Sequence, residues 1–174
     1  ITNYSYFLSE TVYAGKIKPR NLIIADECHT LPEQLSGFSE LTLSEYFANS
    51  IGINMSQDIK TDRQAMKWVT DEYKPALVRY IEGLEKIIKD VLEHRNNMNE
   101  NELKKLSSKH DKLDKHICKV NRFIDTYDKD NWVLTISLTK EKNTRKLEFK
   151  PIDISPYAND LLLGLSAHSI MMSA

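Results

Sequence analysis

Between about residue 61 and residue 127 the apolar positions of this chain recur in steps of three and four, the period of helices that turn one face to a core. Thr61 or Asp62 can cap the first segment, which runs to about Arg95. Pro75 falls inside it and is expected to kink or break the helix near Lys74, because proline lacks the N–H donor and its ring crowds the preceding turn. Beyond the proline the apolar stripe is Leu77, Ile81, Leu84, Ile88 and Val91. A polar link, Arg95 to Asn101, precedes a second stripe: Leu103, Leu106, His110, Leu113, Ile117, Val120, Ile124 and Tyr127. Two such segments joined by a short polar link predict a long antiparallel helical hairpin.

The period then changes. Residues 131–138 and 146–149 alternate apolar and polar positions, with Trp132, Leu134, Ile136 and Leu138 on one face and a turn at 141–144 between them. This predicts a β-hairpin ended by Pro151. The flanks differ again. Residues 1–14 predict a short helix, and residues 15–20 a turn. Leu22-Ile23-Ile24-Ala25, bounded by turn signals, predicts a buried strand of the kind found in parallel sheets. A helix or turn follows over 27–35. Ser44 can cap a short helix over 43–53 with Tyr46, Phe47 and Ile51 as its apolar stripe. Ser155 or Pro156 starts a helix through about Ala167, and Ile170-Met171-Met172 predicts a second buried strand. The fold class expected is therefore mainly α with a small β part: strands of α/β type near both ends and a helical insertion between them.

Composition narrows the function only slightly. With 41% hydrophobic and 28% charged residues the chain of 174 is ordinary for a globular protein. A net charge of -1 gives no global basic field, so nucleic-acid binding would have to come from local patches. Two cysteines, Cys28 and Cys118, fit a reducing compartment and cannot build a four-cysteine zinc or iron–sulfur site. The apolar runs are too short to span a membrane, and a cytoplasmic setting is expected. Both ends, Ile1 and Ser173-Ala174, look cut from something longer.

The chemistry concentrates after the first strand. Asp26-Glu27 directly follows the apolar run, and a strand delivers such a pair to the edge of a sheet where ligands bind. In phosphate-loop ATPases a strand-end acid holds the Mg²⁺ that bridges the β- and γ-phosphates, and an adjacent Glu is placed to orient or deprotonate the attacking water. The bland alternative is a strand followed by a helix whose first turn carries acids favourable to its dipole.

Leu22-Ile23-Ile24-Ala25-Asp26-Glu27-Cys28-His29-Thr30-Leu31 resembles motif II of superfamily 2 helicases in its Asp-Glu-x-His form. Ile1-Thr2-Asn3-Tyr4-Ser5-Tyr6-Phe7-Leu8 resembles the stretch that precedes motif II in the XPD and DinG branch. Phe149-Lys150-Pro151-Ile152-Asp153 resembles the segment that returns to the motor, and Ile170-Met171-Met172-Ser173-Ala174 the start of motif III. In that branch a helical insertion, the arch, lies between motifs II and III. The resemblance implies that residues 1–40 and 151–174 belong to a truncated RecA-like helicase domain and that residues 41–150 are an arch-like insertion, with the helical hairpin at about 61–127 and the β-hairpin at about 131–150. It implies an ATP-dependent DNA helicase, translocating 5′ to 3′ on single-stranded DNA, with ATP and Mg²⁺ as cofactors. Asp26 would bind Mg²⁺, Glu27 would activate water, and His29 and Ser173 would link the nucleotide to the DNA site. An iron–sulfur cluster, where relatives carry one, would lie before Ile1. The chain has no Gly-x-x-x-x-Gly-Lys-Ser/Thr loop, so by itself it is expected to hydrolyse no ATP.

Cations gather on the second hairpin helix (Lys105, Lys109, Lys112, Lys119, Arg122) and on the β-hairpin (Lys142, Arg145), and as a group they are candidates for tracking a phosphate backbone. Glu100, Glu102, Asp111 and Asp114 offset them, as on any solvated helix face. Trp68, Tyr73, Tyr80 and Trp132 are candidates for base stacking, with core packing as the alternative. His94, His110 and His116 show no carboxylate or cysteine at metal-ligand spacing. A second class of function stays open: a helical protein-interaction module in which the acidic motif is structural and the hairpin docks a protein partner.

Overall fold

The computed structural model describes residues 2–13, 15–93, 98–139 and 144–173. The helices, in chain order, are α1 (Tyr4–Val12), α2 (Leu31–Ser39), α3 (Glu45–Ser50), α4 (Asp62–Trp68), α5 (Lys74–Leu92), α6 (Glu100–Thr126) and α7 (Ser155–Leu161). The strands are β1 (Arg20–Ala25), β2 (Leu41–Ser44), β3 (Trp132–Leu138), β4 (Arg145–Pro151) and β5 (Ser166–Met171). The protein is thus mainly helical with a small sheet part. Among the described residues no helix is long and apolar enough to cross a membrane.

The chain divides into two compact units. The first comprises Ile1–Glu40, Asp128–Val133 and Phe149–Ala174. Its core is helical: Leu8 of α1, Leu31 and Leu35 of α2, and Leu161 and Leu162 at the end of α7 are all buried and pack together. Asn3 caps α1 by accepting from the Tyr6 N–H. β1 and β5 pair in parallel, Leu22 opposite His168 and Ala25 opposite Met171. Both were expected as buried strands; the structure corrects this. Ile24 is 56% exposed and Ile170 48%, because the sheet has these two strands and its apolar faces are largely uncovered. The helix starting at Ser155 also ends six residues earlier than expected. A side chain at Gly164 would meet the Asn159 carbonyl oxygen at 2.8 Å, and the chain turns there into β5.

The second unit comprises Leu41–Tyr127 and Leu134–Glu148. A capping box starts α4: Thr61 accepts from Gln64 N–H while the Gln64 side chain accepts from Thr61 N–H. At Pro75 the helix does not break. Residues Val69–Tyr73 widen into a π turn, with Lys74 N–H donating to the Val69 carbonyl, and Pro75 sits in the first turn of α5, where its missing N–H costs nothing. α5 and α6 run antiparallel, since Tyr73 meets His116 and Tyr80 meets Lys109. Leu77, Ile81, Leu84 and Val91 of α5 and Leu113, Val120 and Phe123 of α6 are buried residues of the hairpin. Asn99 and Glu102 form a second capping box at the start of α6.

The remaining sheet has the order β2-β4-β3. In β4 the odd-numbered residues Arg145, Leu147, Phe149 and Pro151 are buried. In β3 burial fades along the strand, from Trp132 at 3% exposed to Leu138 at 59%. β2 stands where a helix was expected to begin; Ser44 does cap α3, but Tyr46 points out, 57% exposed.

Candidate functional site

β1 ends at Ala25 and hands Asp26 and Glu27 to the carboxyl edge of the strand pair. The ladder continues past the strand ends: Met172 N–H donates to the Ala25 carbonyl (2.9 Å) and Cys28 N–H to the Met172 carbonyl (2.8 Å). These two bonds fix Ser173 beside the acidic motif. His29 Nδ1 lies 3.0 Å from Ser173 Oγ and 3.3 Å from Glu27 Oε2. One ring nitrogen therefore meets a hydroxyl and a carboxylate from segments far apart in sequence. The four residues expected to carry the chemistry, Asp26, Glu27, His29 and Ser173, stand on one edge and are solvent-accessible.

The backbone between Asp26 and Cys28 turns sharply. Glu27 has φ 52° and ψ 41°, the left-handed region, and among the described non-glycine residues it alone has positive φ. That conformation costs a side-chain-bearing residue about 1–2 kcal/mol, and strain of this size gathers at functional turns. Local bonds hold it. Asp26 Oδ1 accepts from Glu27 N–H at 2.9 Å, and the Glu27 carbonyl accepts from Thr30 N–H at 3.0 Å and from the Thr30 hydroxyl at 2.9 Å. From α1 the Tyr4 hydroxyl donates to the Asp26 carbonyl at 2.6 Å. Burial, then the acidic groups of Cys28, Asp26 and Glu27, push the Tyr4 hydroxyl pKa up, so Tyr4 stays a donor. Neither Tyr4 nor Thr30 stands out by residue type or spacing; their signal is that both lie inside the stretches with motif resemblance.

The donor set suits a hard cation. Magnesium is held through one or two carboxylates together with phosphate and water oxygens, and Asp26 offers an exposed carboxylate with one oxygen engaged by Glu27 N–H. A Gly-x-x-x-x-Gly-Lys-Ser/Thr loop, whose backbone N–H groups cradle phosphates in phosphate-loop proteins, is not in this sequence.

The expected basic residues scatter in their environments. Arg145 is a correction. It is 9% exposed, its guanidinium donates to the carbonyls of Ser56 and Ile59 (2.7 Å to the latter), and its N–H donates to Glu45 Oε2 at 2.7 Å. It ties the loop between α3 and α4 to β4, buried where a phosphate backbone would need an exposed cation. Lys142, like His94, lies outside the described residues. Lys105, Lys109 and Lys112 are exposed on α6, whereas Lys119 and Arg122 are half-buried. Lys109 Nζ sits 4.8 Å above the centre of the Tyr80 ring and bonds its hydroxyl.

Of the stacking candidates, Trp68, Tyr73 and Trp132 are core residues. Trp132 donates to the Tyr157 hydroxyl at 2.8 Å. His110, read as lacking carboxylates at metal spacing, has two: Glu85 Oε1 at 3.1 Å from Nε2 and Asp114 Oδ2 at 3.6 Å from Nδ1. Glu85 comes from the other hairpin helix, so sequence spacing could not reveal it. The carboxylates address opposite nitrogens of one ring, an arrangement that clasps α5 to α6.

No protein-family model matches this chain, and no curated protein matches it.

Proposed function

We propose that this chain is a piece of an ATP-dependent DNA helicase of the XPD and DinG kind, its first unit part of a RecA-like motor domain and its second unit the arch-like insertion that guides single-stranded DNA. The supporting observation is the meeting of His29 and Ser173 at 3.0 Å, at the carboxyl edge of parallel strands. Open α/β sheets bind nucleotides at that edge, and segments resembling motifs II and III have to converge there for the reading to hold. The uncovered apolar faces of β1 and β5 fit a sheet that other strands and helices of a motor domain would cover.

In this reading Asp26 holds the Mg²⁺ of a bound nucleotide, which supplies charge neutralisation on the transferred phosphoryl group. Glu27, turned out by its left-handed backbone, orients the attacking water and takes its proton. His29, between Glu27 and Ser173, links the state of the carboxylate to the strand that carries Ser173. A setting in the cytoplasm, at the nucleoid or in the nucleus goes with work on DNA. The phosphate loop and second motor domain, with any iron–sulfur cluster, would be supplied by the rest of the helicase.

The test uses the encoding reading frame at full length. It should encode a Gly-Lys-Ser/Thr loop upstream of Ile1, and the whole product should hydrolyse ATP only with single-stranded DNA and lose turnover in Glu27→Gln. A frame without that loop, or ATP turnover by the 174-residue chain itself that Glu27→Gln removes, would sink the proposal.

A further inference from the structure

Three features of the second unit converge at one place. The π turn Val69–Tyr73 ends on Tyr73, which is fully buried and whose hydroxyl meets His116 Nε2 at 2.8 Å. π turns concentrate at functional sites. Beside this pair opens a cavity of about 230 Å³ lined by Thr42, Ser44, Phe47, Tyr73, Leu113 and His116. The Phe47 ring stands 5.9 Å from the His116 ring at 85°, edge to face. Drug-sized ligands need roughly 300–1,000 Å³, so this space suits one ring system. Burial, then the charge of Lys119, lowers the His116 pKa to about 4. Its imidazole is therefore neutral at pH 7 and can both donate and accept.

The flank of α6 that carries His116 is cationic. Lys105, Lys109, Lys112, His116 and Lys119 follow in steps of four, three, four and three, so they share one side of the helix. Asp111 and Asp114 fall off this side. From Lys105 to Lys119 the row rises roughly 21 Å at about 1.5 Å per residue, longer than a single nucleotide needs. An aromatic, polar-edged slot beside a row of cations matches a planar heterocycle on a polyanionic chain.

We propose that this cavity takes one base of a single-stranded nucleic acid whose phosphates run along Lys105, Lys112 and Lys119. The inference rests on the reading of the second unit as a guide for single strands, and gives that guide a fixed point of grip.

The experiment compares a labelled oligothymidylate with the same strand made abasic, by fluorescence anisotropy at physiological salt, on the chain as it is. A base seated in the cavity should make the oligothymidylate bind about tenfold tighter, the scale of one stacked base. Thr42→Phe, which fills the cavity, should bring the two strands level, while Lys119→Gln should weaken both. Because Thr42→Phe can disturb folding, the His116 imidazole proton signals of the unsubstituted chain give a second reading: they should shift with oligothymidylate and stay with the abasic strand. If both strands bind equally and His116 does not move, the guide reading stands and the base pocket is overturned. If neither strand binds, the guide reading falls and the pocket with it.

Discussion

Glu27 offers a test in which the sign of the answer, rather than its size, decides. Its φ of 52° lies where a Cβ crowds the following carbonyl, at about 1–2 kcal/mol. Glycine escapes that cost but gives up roughly 0.5–1 kcal/mol of unfolded-chain entropy. The side chain itself contributes little: its contact with His29 is 3.3 Å long, and both side chains are 56% exposed. Such a pair is worth at most a few tenths of a kcal/mol and depends on His29 carrying a proton. The bonds that hold the turn, from Thr30 to the Glu27 carbonyl and from Glu27 N–H to Asp26, are to backbone groups and survive any substitution at position 27. Glu27→Ala should therefore lose a few tenths of a kcal/mol, and Glu27→Gly should be more stable than Glu27→Ala by roughly 0.5–1 kcal/mol. At a right-handed or extended position the order reverses by about the same amount. Urea unfolding of the two variants reads the difference directly. An alanine variant as stable as the glycine variant would refute the left-handed turn, and with it the account of how Glu27 is presented.

Other substitutions address the second unit. Arg145→Met should destabilise it by about 3 kcal/mol in urea unfolding, because the carbonyls of Ser56 and Ile59 each lose a charged donor, and Arg145→Lys should recover little of that, lacking the fork that reaches Ser56 and Ile59 together. Asn99→Ala should cost about 1 kcal/mol and fray the first turn of α6, seen as lost helical circular dichroism and faster amide exchange there. His116 titrates with a folded pKa of about 4 against 6.5 unfolded, so the unfolded chain binds the extra proton. The stability this gives is complete above pH 6.5 and falls as pH drops toward 4, by roughly 2–3 kcal/mol. His116→Gln should flatten that part of the pH profile relative to the unsubstituted chain, whose carboxylates titrate in both.

The helical hairpin was legible because its signal is local. Each apolar residue of the α5–α6 seam sits three or four positions from the next, and the caps at Thr61 and Asn99 announce themselves within three residues. The same holds for the alternation in β4. What was missed depends on distant partners. Arg145 read as a surface cation because the carbonyls that bury it lie 86 and 89 residues away. Glu85 was missed as a partner of His110 because it is 25 residues away on another helix, although Asp114, four residues on, was within reach of the local pattern. β2, four residues long, is too short for alternation to outweigh the helical cap that follows it. Pro75 announced a disturbance but not its form, since the π turn before it, Val69–Tyr73, has no sequence signature of its own.

The acidic motif illustrates the same division from the functional side. Its residue types were readable from ten consecutive letters, yet its geometry is made elsewhere. Two parallel strands with open apolar faces cannot hold a site by themselves, since independent sheet stability takes three strands or packing against helices. In the first unit the ordered support is the helical core of Leu8, Leu31, Leu35, Leu161 and Leu162. α1 places Tyr4 on the Asp26 carbonyl, α2 begins two residues after His29, and the turn after α7 feeds β5 and so Ser173. Tyr4 and His29 thus lie in or beside a helix, and the strand ladder brings Ser173 to them. The 3.0 Å approach of His29 to Ser173 joins a strand ladder, which sets the register, to a helical core whose leucines stand away from the site itself.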